Sequence, residues 1–246
     1  GPKVEPIPSQ ELLKNLYDTI HKRTAGTNEQ AQEILRSLKT NKPPMPENII
    51  KHLDELAPGD VILVAPIPFK DMNKANYKDV LISNSVNFID RWSSNCWSSP
   101  ASHVAVFLGE KNGKRWYMDN TSEHGPVIKE EQLFLKQYGE RKMDVATLVG
   151  EPISPAEADA IFKAAHELRE MGITFGIGDK KMVCSEAGRW LIMQTGRYVP
   201  AAETPMPVVP TVSDFIVKED VVKCSPADFY DNQEYFLIRP LDIQRK

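Results

Sequence analysis

Two apolar runs, residues 103–109 (HVAVFLG) and 115–120 (RWYMDN), are separated by the short polar stretch EKNGK. Its Asn112-Gly113 pair supplies the two positive-φ positions of a type I′ turn, whose twist matches that of two antiparallel strands. A β-hairpin is therefore predicted, and a hairpin alone is marginal in water: it needs more strands or a helix on its apolar face. The chain around it supplies both. Ala57-Pro58-Gly59-Asp60 is a turn before the continuous apolar run 61–65, suited to a buried strand, and residues 142–149 and 235–238 read as further strands. Ser154-Pro155-Ala156-Glu157 combines an N-cap, a proline at the first helical position and a capping-box glutamate. It opens a helix through Ala158, Ile161, Phe162, Ala165 and Leu168 that stops at Gly172. Residues 70–92 and 130–138 add helices, the first lined by Val80, Leu81, Ile82, Val86, Phe88, Ile89 and Trp92, and Ser225 to Asp228 caps a last short one. Helices inserted into a mainly antiparallel sheet make the predicted fold class α+β.

Residues 1–56 have a different character. Leu12, Leu13, Leu16, Tyr17 and Ile20 recur at helical spacing. Thr27 and Gln30 form a capping box before Ala31, Ile34, Leu35 and Leu38, and a short helix through Ile49, Ile50 and Leu53 follows NKPPMP. No reactive pattern lies here, and His21 and His52 sit among charges as surface histidines. The stretch reads as a helical extension that packs on the main domain or meets a protein partner. Residues 57–246 form the main domain, with the Pro-rich segment 199–213 as an ordered surface loop or lid. At 246 residues the chain can bury one sizeable core besides such an extension.

Composition removes some functions. With a formal charge of −4 and no block of lysine and arginine, nothing points to nucleic acid. No apolar run approaches the length of a transmembrane helix. Gly1-Pro2 looks like a protease-cleavage remnant, so a missing signal peptide leaves localisation open between secreted or periplasmic and cytoplasmic.

The three cysteines cannot all pair within the chain, and no CxxC occurs. Cys184 in MVCSEAGRWLIMQTG stands where an amphipathic helix begins, ending at Gly196. Helix starts carry unpaired N–H groups and partial positive charge, both of which favour a thiolate, and Lys180 and Lys181 would add to this if they lie close. Ala187 and Gly188 would let that helix pack closely on a sheet. His103 opens its strand after a proline-containing loop, which puts its ring at a sheet end where sites open to solvent. It serves as a base if one nitrogen reaches Cys184 and a polar partner holds the other. That partner belongs on the neighbouring strand, where Asp119 or Asn120 could orient the ring; Glu123 and His124 sit further into the loop.

Cys96, in the loop before His103, and Cys224 lack a helix start of their own. A zinc site from Cys96, His103, His124 and Cys184 is conceivable, although the spacings match no common pattern. GxSxG and GxxxxGK[ST] are absent, and Gly176 and Gly178 complete no GxGxxG, so no cofactor is expected.

Gly59-Asp60-Val61-Ile62-Leu63, then Ser102-His103-Val104-Ala105-Val106, then Val183-Cys184-Ser185-Glu186, in that order, resemble the circularly permuted NlpC-type papain-like proteins, and within them the YiiX-like cysteine peptidases and amidases. Ordinary papain-like enzymes place the cysteine helix before the histidine strand; here His103 comes first, as in the permuted group. The similarity spans residues 57–195. It implies Cys184 as nucleophile, His103 as general base and an acidic or polar third residue on the next strand. Asp119 is the best match there, one methylene shorter than the Glu that family members often carry.

The implied activity is thiol hydrolysis of a peptide, isopeptide or other amide bond. Two other readings stand beside it. One is an esterase or acyltransferase on acyl lipids, similar to lecithin:retinol acyltransferase, for which Phe175, Ile177, Met206, Val208 and Val209 would suit an acyl chain. The other is a non-catalytic binding module or effector using the N-terminal helices and the Pro-rich segment.

Overall fold

A computed structural model describes residues 48–93, 99–201, 204–207, 219–222 and 224–243. The helices expected between residues 12 and 38, Cys96, Val208 and Val209, and most of the Pro-rich segment lie outside these residues.

The centre of the molecule is a six-stranded sheet. Its strands are β1 (Val61–Val64), β2 (His103–Lys111), β3 (Lys114–Thr121), β4 (Gly125–Glu130), β5 (Met143–Leu148) and β10 (Phe236–Leu241). They lie in the order β10-β5-β1-β2-β3-β4, and every neighbouring pair is antiparallel. β2 and β3 are the expected hairpin, with Asn112 and Gly113 at φ 57° and 74° in its turn. Outside this sheet, β6 (Thr174–Phe175) pairs in parallel with β7 (Lys181–Met182), and β8 (Thr204–Pro207) pairs with β9 (Glu219–Val222).

The helices are α1 (Tyr77–Ser93), α2 (Glu131–Tyr138), α3 (Pro155–Glu170), α4 (Cys184–Met193) and α5 (Pro226–Asp231). The period-2 alternation of the strands sorts them onto two faces. Val104, Val106 and Leu108 point to the side packed by α3, α4 and α5, together with Ile161, Leu168, Ala187, Leu191 and Phe229. Ala105, Phe107, Ile62 and Val64 point to the other side, under Phe134 and Tyr138 of α2. The result is a three-layer α+β domain.

Local chemistry explains most of these elements. Ser154 and Glu157 make both halves of the capping box that starts α3, each at 3.1 Å. Gly188 lies directly on β2, where an added Cβ would stand 3.3 Å from both Val104 Cγ1 and Val106 Cγ2, so α4 sits close to the sheet. In β2 the pairing with β3 shifts between Phe107 and Gly109, leaving Leu108 as the extra residue of a β-bulge. Gly109 takes φ +106°, and an added Cβ would meet Pro58 Cγ at 3.0 Å.

Four expectations need correction. Ile50 is not helical: it bridges in parallel to Leu241, and Leu53–Glu55 forms a single 3-10 turn. The segment after β3, read as loop, carries β4, and the loop before Cys184 carries β6 and β7. In α1 the inward positions are Val80, Asn87 and Asp90, whereas Leu81, Ile82, Val86 and Phe88 are exposed.

Candidate active site

The order of the strands decides what meets at one end of the sheet. β2 begins there with His103, opposite Val64 at the end of β1, and β3 arrives there with Asp119 and Asn120. The chain entering β2 is tied down before it reaches His103. Asn87 of α1 donates to the carbonyls of Ser99 (3.1 Å) and Ala101 (2.8 Å), Ser102 N–H bonds Val64 O at 2.8 Å, and Arg141 Nη2 donates to Ser102 Oγ at 3.1 Å.

Cys184 reaches the same place from the other layer. It is the first residue of α4, and four side chains fix its turn. Asn120 Nδ2 donates to Met182 O at 2.9 Å, Ser185 Oγ to Cys224 O at 2.5 Å and Arg189 Nε to Val199 O at 2.8 Å. Glu186 Oε1 accepts the Val183 N–H at 2.9 Å. The first intrahelical bond runs from Ala187 N–H to Val183 O, so helix geometry leaves the N–H groups of Cys184, Ser185 and Glu186 without a carbonyl inside α4. Lys180 and Lys181 are both exposed, and the Lys181 stem lies over Gly176.

The His103 ring joins the layers. Its Nε2 donates to Asp119 Oδ1 at 2.5 Å, which leaves Nδ1 for the hydrogen bond with the Cys184 sulfur. One face stacks on Tyr138 at a centroid distance of 5.0 Å and 21° between planes. Exposure falls from 13% for the His103 side chain through 6% for Cys184 to zero for Asp119, so the cluster is covered except at the histidine and sulfur. Burial works against a charged imidazole, but the Asp119 carboxylate and then the Cys184 sulfur outweigh it and push the His103 pKa up to about 10.

Asp119 in turn is held on its second oxygen. Lys129 Nζ lies 2.5 Å from Oδ2, and Tyr138 OH donates to it at 2.9 Å. Burial alone would raise this carboxyl; His103 first, then Lys129, bring it down to about 2. Tyr138 is pushed up by burial and by Asp119, which keeps its hydroxyl a donor. Each oxygen of a fully buried carboxylate therefore has a strong donor, the condition under which a buried charge is tolerated.

Of the residues singled out in the sequence, Cys184, His103 and Asp119 are brought together. Asn120 lies on the opposite face of β3 and holds the loop before Cys184. Glu123 and His124 are exposed at the β3–β4 turn, 3.7 Å from each other, and neither bonds a member of the cluster among the described residues. Cys224 is fully buried and its thiol is pushed well up by that burial. Phe175 packs on the core cluster that includes Cys184. Lys129 and Tyr138 were not singled out; reading Val127-Ile128-Lys129 as a strand beside β3 would have pointed Lys129 to Asp119.

A groove of about 1050 Å³ opens at the same end of the sheet. It is lined by Arg141, Met143 and Leu241 among others, and by neither Cys184 nor His103. Arg141 lies close to the cluster: its guanidinium carbon is 5.4 Å from the centre of the Tyr138 ring, which stacks on His103.

Fold and cluster together define an α+β domain with a cysteine, a histidine and an aspartate assembled at one end of an antiparallel sheet. No protein-family model matches the chain, and no curated protein matches it. Among solved structures, the metalloprotein YiiX of Escherichia coli O157:H7 has a similar fold, with a TM-score of 0.50 at 13% identity, over 77% of this chain and 98% of YiiX. No helix among the described residues is long and apolar enough to cross a membrane.

Proposed function

We propose that this chain is a thiol hydrolase of the permuted papain-like, NlpC-type kind, cleaving a peptide, isopeptide or other amide bond through an acyl-enzyme on Cys184. One observation carries the reading: the His103 ring is held between the Cys184 sulfur and the Asp119 carboxylate, with its neutral-pH charge stabilised from both sides. In such an arrangement the ring is placed to take up the thiol proton and to return it later to a leaving group.

In the reaction the Cys184 thiolate attacks the carbonyl carbon, and the carbonyl electron pair moves onto oxygen. The positive end of α4 and the first-turn N–H groups of Cys184 and Ser185 are suited to hold that oxyanion. The C–N bond then breaks as His103 Nδ1–H gives its proton to the leaving amine, leaving a thioester and a neutral imidazole. His103 next takes a proton from water, the hydroxide adds, and the C–S bond breaks to return thiolate, imidazolium and a carboxylic acid product. Asp119 keeps the ring in this orientation throughout, without taking the proton.

YiiX is described as a metalloprotein. Among the described residues of this chain no three His, Cys, Asp or Glu side chains are grouped to hold a metal ion. His103 Nε2 is already committed to Asp119, so the donor set does not fit one, and no step here runs through a metal.

The test is mass-spectrometric mapping of iodoacetamide labelling against pH, followed by turnover of peptide amides and short acyl esters by the wild type and Cys184→Ala. Cys184 is expected to label far faster than Cys224 at pH 6–7, and His103→Ala to remove the difference. Equal labelling of the two cysteines in the wild type would refute an activated thiolate. Turnover of esters alone would move the reading to acyl-ester chemistry.

A further inference from the structure

Arg141 stands beside the cluster, and its surroundings are unusual for a half-buried cation. Its Nε donates to Ala65 O at 2.6 Å and its Nη2 to Ser102 Oγ at 3.1 Å, both neutral acceptors. Among the described residues no carboxylate lies within ion-pair distance of it. Asp79 and Asp119 act on it only through space. A guanidinium carries five donors in a rigid fork suited to a carboxylate, and two bonds to neutral oxygens leave part of that fork unused. It lines the large groove at the end nearest β2, one aromatic ring from His103.

The groove carries charges of both signs. Lys136, Glu140 and Lys142 line it and are exposed, Asp144 on β5 accepts the Tyr230 hydroxyl at 2.7 Å, and Asp242 follows β10. Arg141 is set apart by its contact with the Tyr138 ring, which itself stacks on His103.

We propose that Arg141 docks a carboxylate of the substrate, so that the amide cleaved at Cys184 belongs to a molecule with a free carboxylate a few bonds from the scissile carbonyl, as at a peptide C-terminus or an acidic side chain. The inference rests on the thiol-hydrolase reading for the identity of the reacting sulfur.

The probes are chloroacetyl-glycine, chloroacetyl-β-alanine and chloroacetyl-γ-aminobutyrate, each against its carboxamide. Iodoacetate against iodoacetamide is the short pair, which senses His103 but does not span to Arg141. The readout is the carboxylate-to-carboxamide ratio of Cys184 alkylation rates, which cancels general changes in thiol reactivity. In the wild type one of the longer carboxylates is expected to be preferred on the order of tenfold, the worth of one charged hydrogen-bonded contact. Arg141→Gln should return that ratio to the level of the short pair, and Arg141→Lys, which keeps charge without the fork, should retain part of it. A wild-type ratio no larger for the longer pairs than for the short pair overturns the proposal, whatever the variants do; so does an undiminished ratio in Arg141→Gln. If the carboxamides alkylate Cys184 no faster than Cys224, the thiol-hydrolase reading itself fails. Rapid carboxamide labelling without a carboxylate preference removes only the docking role.

Discussion

Lys129→Met tests whether the buried carboxylate at the centre of the site depends on a buried cation. Lys129 Nζ lies 2.5 Å from Asp119 Oδ2, with the lysine side chain 12% exposed and the aspartate fully buried. At an effective dielectric near 20, two unit charges at that separation attract by roughly 6–7 kcal/mol, much of which is offset by the cost of desolvating them. Breaking such a pair from one side costs about 3–5 kcal/mol. The low end is expected here, because His103 and Tyr138 still donate to Asp119. The assay is urea unfolding of the wild type, Lys129→Met, Asp119→Asn and the double variant at pH 7. The cycle subtracts the lost bond to Gln137 and the lost packing, which both lysine deletions share. A coupling energy of about 3 kcal/mol is expected. The folded Asp119 pKa is depressed to about 2, below its unfolded value of about 3.9, so the coupling is present above the unfolded value and lost as pH falls through about 2. A coupling under about 1 kcal/mol at pH 7 would place the pair with ordinary surface salt bridges and refute the argument.

Three further outcomes follow from the same geometry. Asp119→Asn leaves His103 without its anionic partner, and amide turnover should fall by about 10²–10⁴-fold, as read by kcat with Cys184 still present. Asp90 is buried beside Asp228 and the start of α5, and burial first, then Asp228, push it up to about 8. A carboxyl raised in the folded state favours its protonated form there, so stability is full below the unfolded value and falls as pH rises toward about 8. Asp90→Asn should therefore gain Tm over the wild type by an amount that grows across that window and then levels; a gain independent of pH would contradict the assignment. Gly109→Ala puts a Cβ at φ +106° against Pro58, and should lower stability by about 1–3 kcal/mol in urea unfolding.

Features encoded within a few residues were legible in the sequence. The Asn112-Gly113 turn, the Ser154 capping box and the start of α4 at Cys184 each depend on local backbone chemistry. Features set by distant packing were not. β4 holds Pro126 and sits at the sheet edge, where the ladder tolerates a residue without an N–H, so its sequence resembles a loop. The apolar positions of α1 suggested an inward stripe, yet Asn87 and Asp90 occupy the inward positions because the segment before β2 and the start of α5 need hydrogen bonds there. Ile50 looked helical beside Ile49 and Leu53, and the edge of β10 claims it instead.

The choice between Asp119 and Asn120 shows where sequence reading reaches its limit at the site. The Asn112-Gly113 turn pairs Lys111 with Lys114 and Gly109 with Trp116. Continued without interruption, that register would set Ala105 opposite Asn120, and the amide would share a sheet face with His103. The bulge at Leu108 shifts the pairing by one, so Ala105 faces Asp119 instead. One extra residue in β2 thus turns the carboxylate toward His103, Lys129 and Tyr138, and the amide toward Met182 and the cysteine turn. The bulge depends on the +106° backbone at Gly109 and on Pro58 packed against it. Pro58 and Gly59 belong to the turn before β1, and Gly59 N–H and Asp60 O hold both backbone groups of Phe107 at 2.8 and 2.9 Å. The identity of the histidine's partner is therefore settled by a turn some sixty residues away in sequence, which no motif at His103 or Cys184 encodes.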